Sequence, residues 1–466
     1  MRRPVLLLLL SLLLPGPAAC QAQEGALERP AEGTPEGTPA PREVASPGET
    51  EALRAAAFAP ERLRARRQAL LDELPAGALV VLAAPEPASD TWSYRPAPDF
   101  LYLSGVREPG FALLLGPETD LLLAPAKDPG HELWNGPRLA PGDPGTGFAA
   151  VVDRAELRAR LLPLLPAATR LYLGGIEAAA LNLPADAPPV ESVAGPLHAL
   201  RQVKDEHELA LLQRAIDITG AALVETMRSA QPGQYEHQLQ AVIEYLFLRH
   251  GAQRPGFASI VGSGPNSCVL HYQSNRRRVE AGDLVVMDVG AELFGYTADV
   301  TRTIPVGGKF SPRQREIYEL VLRAQEAGIK AVRPGATLRS VDQAARKVIR
   351  EAGLAHRFPH GTSHWLGLDV HDVGAYARPL EPGMVLTVEP GVYLPDEGIG
   401  VRIEDDVVVT PEGCRVLTAR IPRLVEELEA LCARGDGVGA RAVEEVPARP
   451  DASATPRRRV FQVGPR

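Results

Sequence analysis

Two apolar runs of this chain end in a carboxylate, and that feature restricts what the sequence can fold into. Leu284-Val-Val-Met-Asp288 and Met384-Val-Leu-Thr-Val388-Glu389 have the length and branched content of buried strands. A lone carboxylate carried into such a strand is costly unless it is paired, protonated or bound to a metal. Each acid has a partner at hairpin distance. Asp288 and Asp299 are symmetric about Leu293-Phe294, and Ala291-Glu-Leu-Phe-Gly295 reads as a short hairpin connection. Glu389 and Glu404 are symmetric about Asp396-Glu397, inside the turn-rich Leu394-Pro-Asp-Glu-Gly-Ile-Gly400. Residues opposite each other on paired strands share a face, so the same construction brings two carboxylates together twice. Like charges placed this way destabilise a sheet unless something positive lies between them.

A third segment, His360-Gly-Thr-Ser-His364-Trp-Leu-Gly-Leu-Asp-Val-His371-Asp372, packs three imidazoles into twelve residues. Imidazole ligates metals when neutral and moves protons near neutral pH, so both uses are open. Gly361 and Gly367 beside Trp365 suggest backbone packed closely under a pocket. Two divalent cations would balance the four carboxylates, with His364 as a fifth ligand. This oxygen-rich set favours Mn(II) or a related ion over the thiolate-rich pattern of structural zinc. Such ions typically lie about 3.5 to 4 Å apart and share a water-derived nucleophile.

The segments Ile260-Val-Gly-Ser-Gly-Pro-Asn-Ser-Cys-Val-Leu-His271-Tyr, Met287-Asp288-Val-Gly, Tyr296-Thr-Ala-Asp299-Val-Thr-Arg-Thr, His360 to Asp372, Thr387-Val-Glu389-Pro-Gly391 and Arg402-Ile-Glu404-Asp span roughly residues 200 to 432. In this order they resemble the pita-bread metallopeptidases of family M24, and within them the Xaa-Pro aminopeptidase (aminopeptidase P) group, with prolidase a near relative. The resemblance implies an α+β catalytic domain with a curved antiparallel sheet, preceded by a smaller α/β domain. It implies metal ligation by Asp288, Asp299, His364, Glu389 and Glu404, and hydrolysis of the N-terminal Xaa-Pro bond of peptides through a metal-bridging hydroxide. His271 would then donate to the oxyanion, as an oxyanion-hole group does. His371 would hydrogen-bond the carbonyl on the proline side, and Glu389 would also shuttle a proton to the leaving nitrogen. His360 and Arg402 would line the polar side of the proline pocket.

Two alternatives accompany that reading. Prolidase cleaves only dipeptides, and an arginine at the Arg402 position can clamp a free carboxylate there, so Arg402 does not separate the two activities. A non-catalytic binding protein on the same scaffold predicts gaps in the ligand set, and the sequence has none. The resemblance also implies a homo-oligomer whose N-terminal domain reaches a neighbour's active-site mouth.

A chain of 466 residues accommodates two domains. Its net charge of -8 with no basic block in the folded part argues against a nucleic-acid partner. Residues 1–20 combine Met1-Arg-Arg, an apolar run from Val5 to Leu14 and small residues before Cys20, the pattern of a secretory signal of lipoprotein type. Export to the periplasmic side with a lipid anchor at Cys20 is expected, with a soluble exported protein as the alternative. Residues 21–50, rich in Pro, Gly, Glu and Thr, read as a flexible tether.

Residues 51–198 alternate strands such as Ala78–Ala83, Phe111–Leu115 and Leu121–Ala124 with helical patterns such as Arg154–Leu165, an α/β domain. Tyr94 to Gly105 and Lys127 to Trp134 resemble the N-terminal domain of aminopeptidase P, and Tyr102, His131 and Trp134 read as core or interface packing. Residues 199–433 should form the catalytic domain, with one helix opened by Leu197-His-Ala-Leu-Arg201 and Lys204 and running to about Arg228, and others from Tyr235 to His250, Ser311 to Val332, Thr337 to Ala352 and Pro422 to Ala433. Residues 434–466 read as a disordered tail. With Cys20 assigned to the signal, Cys268, Cys414 and Cys432 leave an odd number and no disulfide framework. Cys268 reads as a pocket-wall thiol.

Overall fold

Leucine-rich strands too short to cover themselves build the sheet of the N-terminal domain. The structure, a computed structural model, describes residues 47–85, 94–144 and 147–440. Six strands lie in the order Ala150–Asp153, Thr119–Ala124, Ala112–Gly116, Leu79–Ala83, Leu171–Gly174 and Val190–Ser192. The central Leu79–Ala83 pairs antiparallel with Ala112–Gly116 and parallel with Leu171–Gly174. Strand alternation sends Val80 and Leu82 to the face covered by Leu70 and Phe100. Leu79 and Val81 go to the face covered by Leu157 and Leu161. The helix expected over Arg154–Leu165 is instead a 3-10 turn, the short α-helix Leu157–Leu161 and a second 3-10 stretch Leu162–Ala167. Pro163 and Pro166 lack the N–H that an α-helix would use there. Tyr102 is buried beneath Arg66, whereas Trp134 is 86% exposed on the helix Pro129–Asn135 and forms no part of the core.

Both expected flexible ends need correction at their borders. The helix Pro47–Ala57 starts inside the stretch assigned to the tether. Thr50 is buried and accepts a hydrogen bond from Arg214 Nε at 3.2 Å, and Leu53 and Ala57 join the core. Composition pointed to a tether, but one apolar face suffices to dock this helix on Glu206–Ser229. At the other end, residues 434–440 are held against the end of the helix Glu206–Ser229 and the loop that follows it. Gly437 N donates to Arg228 O at 3.1 Å, Gly439 N to Ser229 Oγ at 3.0 Å, and Gln234 Nε2 to Gly439 O at 2.9 Å. The signal with Cys20, most of the tether and residues 441–466 lie outside the described residues.

In the catalytic domain the helices Glu206–Ser229, Glu236–Arg249, Pro312–Ala331, Leu338–Glu351 and Val425–Cys432 accompany small antiparallel sheets. Asp205 opens the first helix with a capping box completed by Glu208, and Ser311 does the same with Gln314. The acids sit on two hairpins. In the second, Val388 pairs with Asp405 and Gly391 with Arg402, the register expected from the sequence, so Glu389 and Glu404 fall opposite each other. The first is offset. Leu293 pairs with Tyr296, which makes Phe294-Gly295 the turn, with φ of 53° and 97°. Two positive φ values in a two-residue loop match the twist of the flanking strands. Asp288 therefore faces Thr301, and Asp299 lies diagonally from it. A turn moved by one residue moves each pairing by two, so the carboxylates keep their common face.

Candidate metal centre

Asp299, His364 and Glu404 each offer a ligand atom, all within 4.8 Å of one another, and all three residues are buried. His364 Nε2 lies 3.3 Å from Asp299 Oδ2 and 3.4 Å from Glu389 Oε1. Its Nδ1 is 3.1 Å from Trp365 O. A proton assigned to Nδ1 satisfies that carbonyl and turns the Nε2 lone pair to the acids, the tautomer a ligating histidine needs. Asp288 completes the group from the other side, its Oδ2 accepting from Arg402 Nη2 at 2.5 Å. The five expected ligands thus converge, three tightly and two through His364 and Arg402.

Their electrostatics call for positive charge. Burial, followed by Glu404 and Asp288, pushes the Asp299 carboxyl well above the usual range. Glu404 is raised likewise by burial, Glu389 and Asp288. Burial pushes Glu389 up to about 8, with Arg402 opposing. Burial also holds His364 down to about 4, so the ring is neutral. Asp288 Oδ1 and Asp299 Oδ1 are buried and accept no hydrogen bond among the described residues. Orphaned carboxylate oxygens beside a neutral imidazole are a donor set that fits divalent cations, which would also allow the acids to ionise together.

Around these residues lies a second set that sequence reading did not single out. Tyr393 OH lies 2.8 Å from His360 Nε2 and accepts from Arg402 Nη1 at 3.1 Å, so it joins the two expected substrate-binding residues. Burial holds His360 near 4 as well. Asp406 Oδ2 accepts from Asp299 N at 3.2 Å. Asp405 is fully buried, receiving Arg302 Nη2 at 2.8 Å, Thr418 Oγ1 at 2.7 Å and Gln325 Nε2 at 3.0 Å. Arg302 Nη1 also donates to Thr301 O and Glu404 O, at 2.9 and 2.6 Å, tying together the strands that carry the acids. The run Glu404-Asp405-Asp406 before Val407 was the available signal, since three acids entering an apolar strand each need a partner.

The remaining histidines differ in placement. His371 is exposed and packs edge-on to His364, with ring centroids 4.4 Å apart. His271 is also exposed and makes no hydrogen bond among the described residues. It lies on the loop after the turn Gly264–Cys268, which abuts the Arg402 strand through Gly400 N to Ser267 Oγ at 2.8 Å. Cys268 is a free, half-buried thiol.

Known proteins are similar to this chain in sequence and fold. Residues 210–411 match Metallopeptidase family M24, and residues 63–171 match the aminopeptidase P N-terminal domain. The Xaa-Pro aminopeptidase of Escherichia coli K12 is 39% identical over 432 residues, covering 80% of this chain and 97% of that protein. The chain belongs to the aminopeptidase P family. A solved aminopeptidase P from E. coli, a glutamate-to-alanine variant in complex with substrate, superposes with a TM-score of 0.75 at 35% identity, over 82% of this chain and 99% of that one. The aminopeptidase P fold, a pita-bread domain behind an N-terminal domain, is therefore the fold described above. The Xaa-Pro dipeptidase of Pyrococcus furiosus is 40% identical over 223 residues, but covers only 47% of this chain and 64% of that protein. Family membership and the orphaned carboxylate oxygens agree on divalent metal ions.

Proposed function

We propose that this protein is a metal-dependent aminopeptidase that releases the N-terminal residue from peptides with proline in second position. The observation that carries the proposal is the convergence of Asp299, Glu389 and Glu404 on His364, with Asp288 beside them on Arg402. These five residues would hold two ions, and four carboxylates with one imidazole suit Mn(II). When bound, the ions supply Lewis acidity, acidifying a water and polarising the scissile carbonyl. Glu389 passes a proton from water to the prolyl nitrogen, which has no hydrogen of its own and must be protonated to leave. His271 donates to the developing oxyanion, and His371 holds the proline-side carbonyl in line. His360 and Arg402, joined by Tyr393, form the polar wall of the proline pocket.

Arg402 is held by Asp288, Tyr393 and Thr301, at 2.5, 3.1 and 3.2 Å, an arrangement that does not separate an aminopeptidase from a dipeptidase. Export with a lipid anchor at Cys20 is part of the proposal, supported by Met1-Arg-Arg, the Val5–Leu14 run and the small residues before Cys20. No helix among the described residues is long and apolar enough to cross a membrane. A homo-oligomer is supported by Leu133 and Trp134, 83% and 86% exposed side by side. The deciding assay follows release of the first residue from Xaa-Pro and Xaa-Pro-Yaa-Zaa peptides, by protein treated with chelator and then resupplied with Mn(II). Restored cleavage of the longer peptides is expected. Cleavage of dipeptides alone would make the protein a prolidase, and no cleavage with any metal would leave a binding scaffold.

A further inference from the structure

The loop that presents His271 has little structure of its own, so something else must hold it. Between the turn Gly264–Cys268 and residue 277 it forms neither helix nor strand. Glu236, the first residue of the helix Glu236–Arg249, lies beneath it and is fully buried. Its carboxylate accepts five hydrogen bonds, and every donor belongs to residues 263–277. Oε1 receives Ser263 N at 2.7 Å, Ser263 Oγ at 2.7 Å and Asn266 Nδ2 at 3.1 Å. Oε2 receives Tyr272 OH and Arg277 N, both at 2.8 Å. The two oxygens thus grip the loop on either side of His271.

Among the described residues no cation forms an ion pair with this acid. The Arg277 guanidinium is spent on Asp283 at 2.5 Å and Ser263 Oγ at 2.8 Å. A buried carboxylate without an ion-pair partner is tolerated because its oxygens are saturated with donors and it sits in the first turn of a helix. The base of the loop has a separate anchor. Asn275, at φ 48°, accepts from Val261 N at 3.1 Å and donates to Ser259 O at 2.8 Å and Gln240 Oε1 at 2.9 Å. Loosening Glu236 therefore frees the tip that carries His271 and leaves the base attached.

We propose that Glu236 is a positioning residue for His271, acting through Tyr272 and the Ser263–Asn266 segment. It fixes where the imidazole meets the substrate without touching substrate or metal. The catalytic half of this proposal rests on the oxyanion role given to His271 above. The test uses the full-length protein and two variants, Glu236→Gln and Tyr272→Phe, each made with and without His271→Ala. Tyr272→Phe removes one hydroxyl and keeps the buried acid, so it probes the clamp without endangering the fold.

Hydrogen exchange of the 264–274 amides should accelerate at least about tenfold in Glu236→Gln, while those of Leu284–Val289 keep their protection. Metal content should be unchanged, and kcat/KM should fall by about tenfold to a hundredfold, as for a displaced catalytic group. Tyr272→Phe should show a smaller loss in the same direction. In the His271→Ala background neither change should lower activity further. Unaltered exchange in Glu236→Gln, or an equal loss of activity with and without His271, would overturn the proposal. Full activity of His271→Ala alone would sink the oxyanion reading instead, and the exchange result would then decide the clamp by itself.

Discussion

Burial makes His364 a usable ligand and makes the acids around it unable to ionise together. The ring is held neutral, with a pKa of about 4, and its Nδ1 is tied to Trp365 O at 3.1 Å. Asp299 has the opposite problem, a carboxyl pushed far up by burial, Glu404 and Asp288. Removing its charge should therefore act on the metal first. Asp299→Asn is expected to lower metal affinity by more than the roughly hundredfold lost with an outer-shell partner, and to abolish turnover with it. His271→Ala, with no hydrogen bond to the acids, should retain full metal content while kcat drops by about 10²- to 10³-fold, the usual loss for one oxyanion donor. Metal analysis after gel filtration, set beside kcat, separates the two classes. An Asp299→Asn protein that kept its metal, or a His271→Ala protein that lost it, would reverse these assignments.

The hairpins show how a sequence can give the right face from an imperfect register. Both pairs of acids were legible as symmetric carboxylates about a turn, and for Glu389 and Glu404 the centre at Asp396-Glu397 is the observed one. For Asp288 and Asp299 the turn lies one residue later, because Phe294 accepts a positive φ that its residue type disfavours. Arg107 and Arg54 lie 5.4 and 5.9 Å from its ring, contacts between distant segments that no local pattern announces. Tyr393, Asp406 and Glu236 were missed for a related reason: each matters through a partner remote in sequence. Gly295 bears most of the turn's geometry, since an added Cβ would meet Leu101 Cδ2 at 2.5 Å at φ 97°. Gly295→Ala should therefore destabilise the protein by about 2 kcal/mol, measured by urea unfolding, and weaken metal binding as Asp299 shifts. Unchanged stability would mean that the hairpin can close through another turn.

At the scale of the molecule, the segment from His360 to Asp372 is fastened to the N-terminal domain, so metal site and fold are thermodynamically linked. Arg201 bridges Asp99 and Asp372, both at 2.6 Å, and Lys204 reaches Asp372 at 3.0 Å. Arg95 spans Asp369 at 2.8 Å and Glu292 at 2.9 Å. Ions that bind only the folded protein stabilise all of this by mass action, and the pKa shifts fix how that gain varies with pH. In metal-free protein Glu389 titrates near 8 instead of the usual 4.5. The unfolded chain ionises first, so stability is lost as pH rises from 4.5 towards 8, and the raised Asp299 and Glu404 act in the same sense. His364 works against this only at lower pH, because its depressed value removes stability as pH falls from 6.5 towards 4. Between pH 6.5 and 8 the carboxylates act alone, and the melting temperature of chelated protein should decline. With Mn(II) bound the acids are already ionised and that decline should vanish, so the gap between the two melting temperatures should widen across the window. A gap that stayed constant from pH 6.5 to 8 would mean that the carboxylates ionise without the metal, and that Arg402 already supplies the positive charge they need.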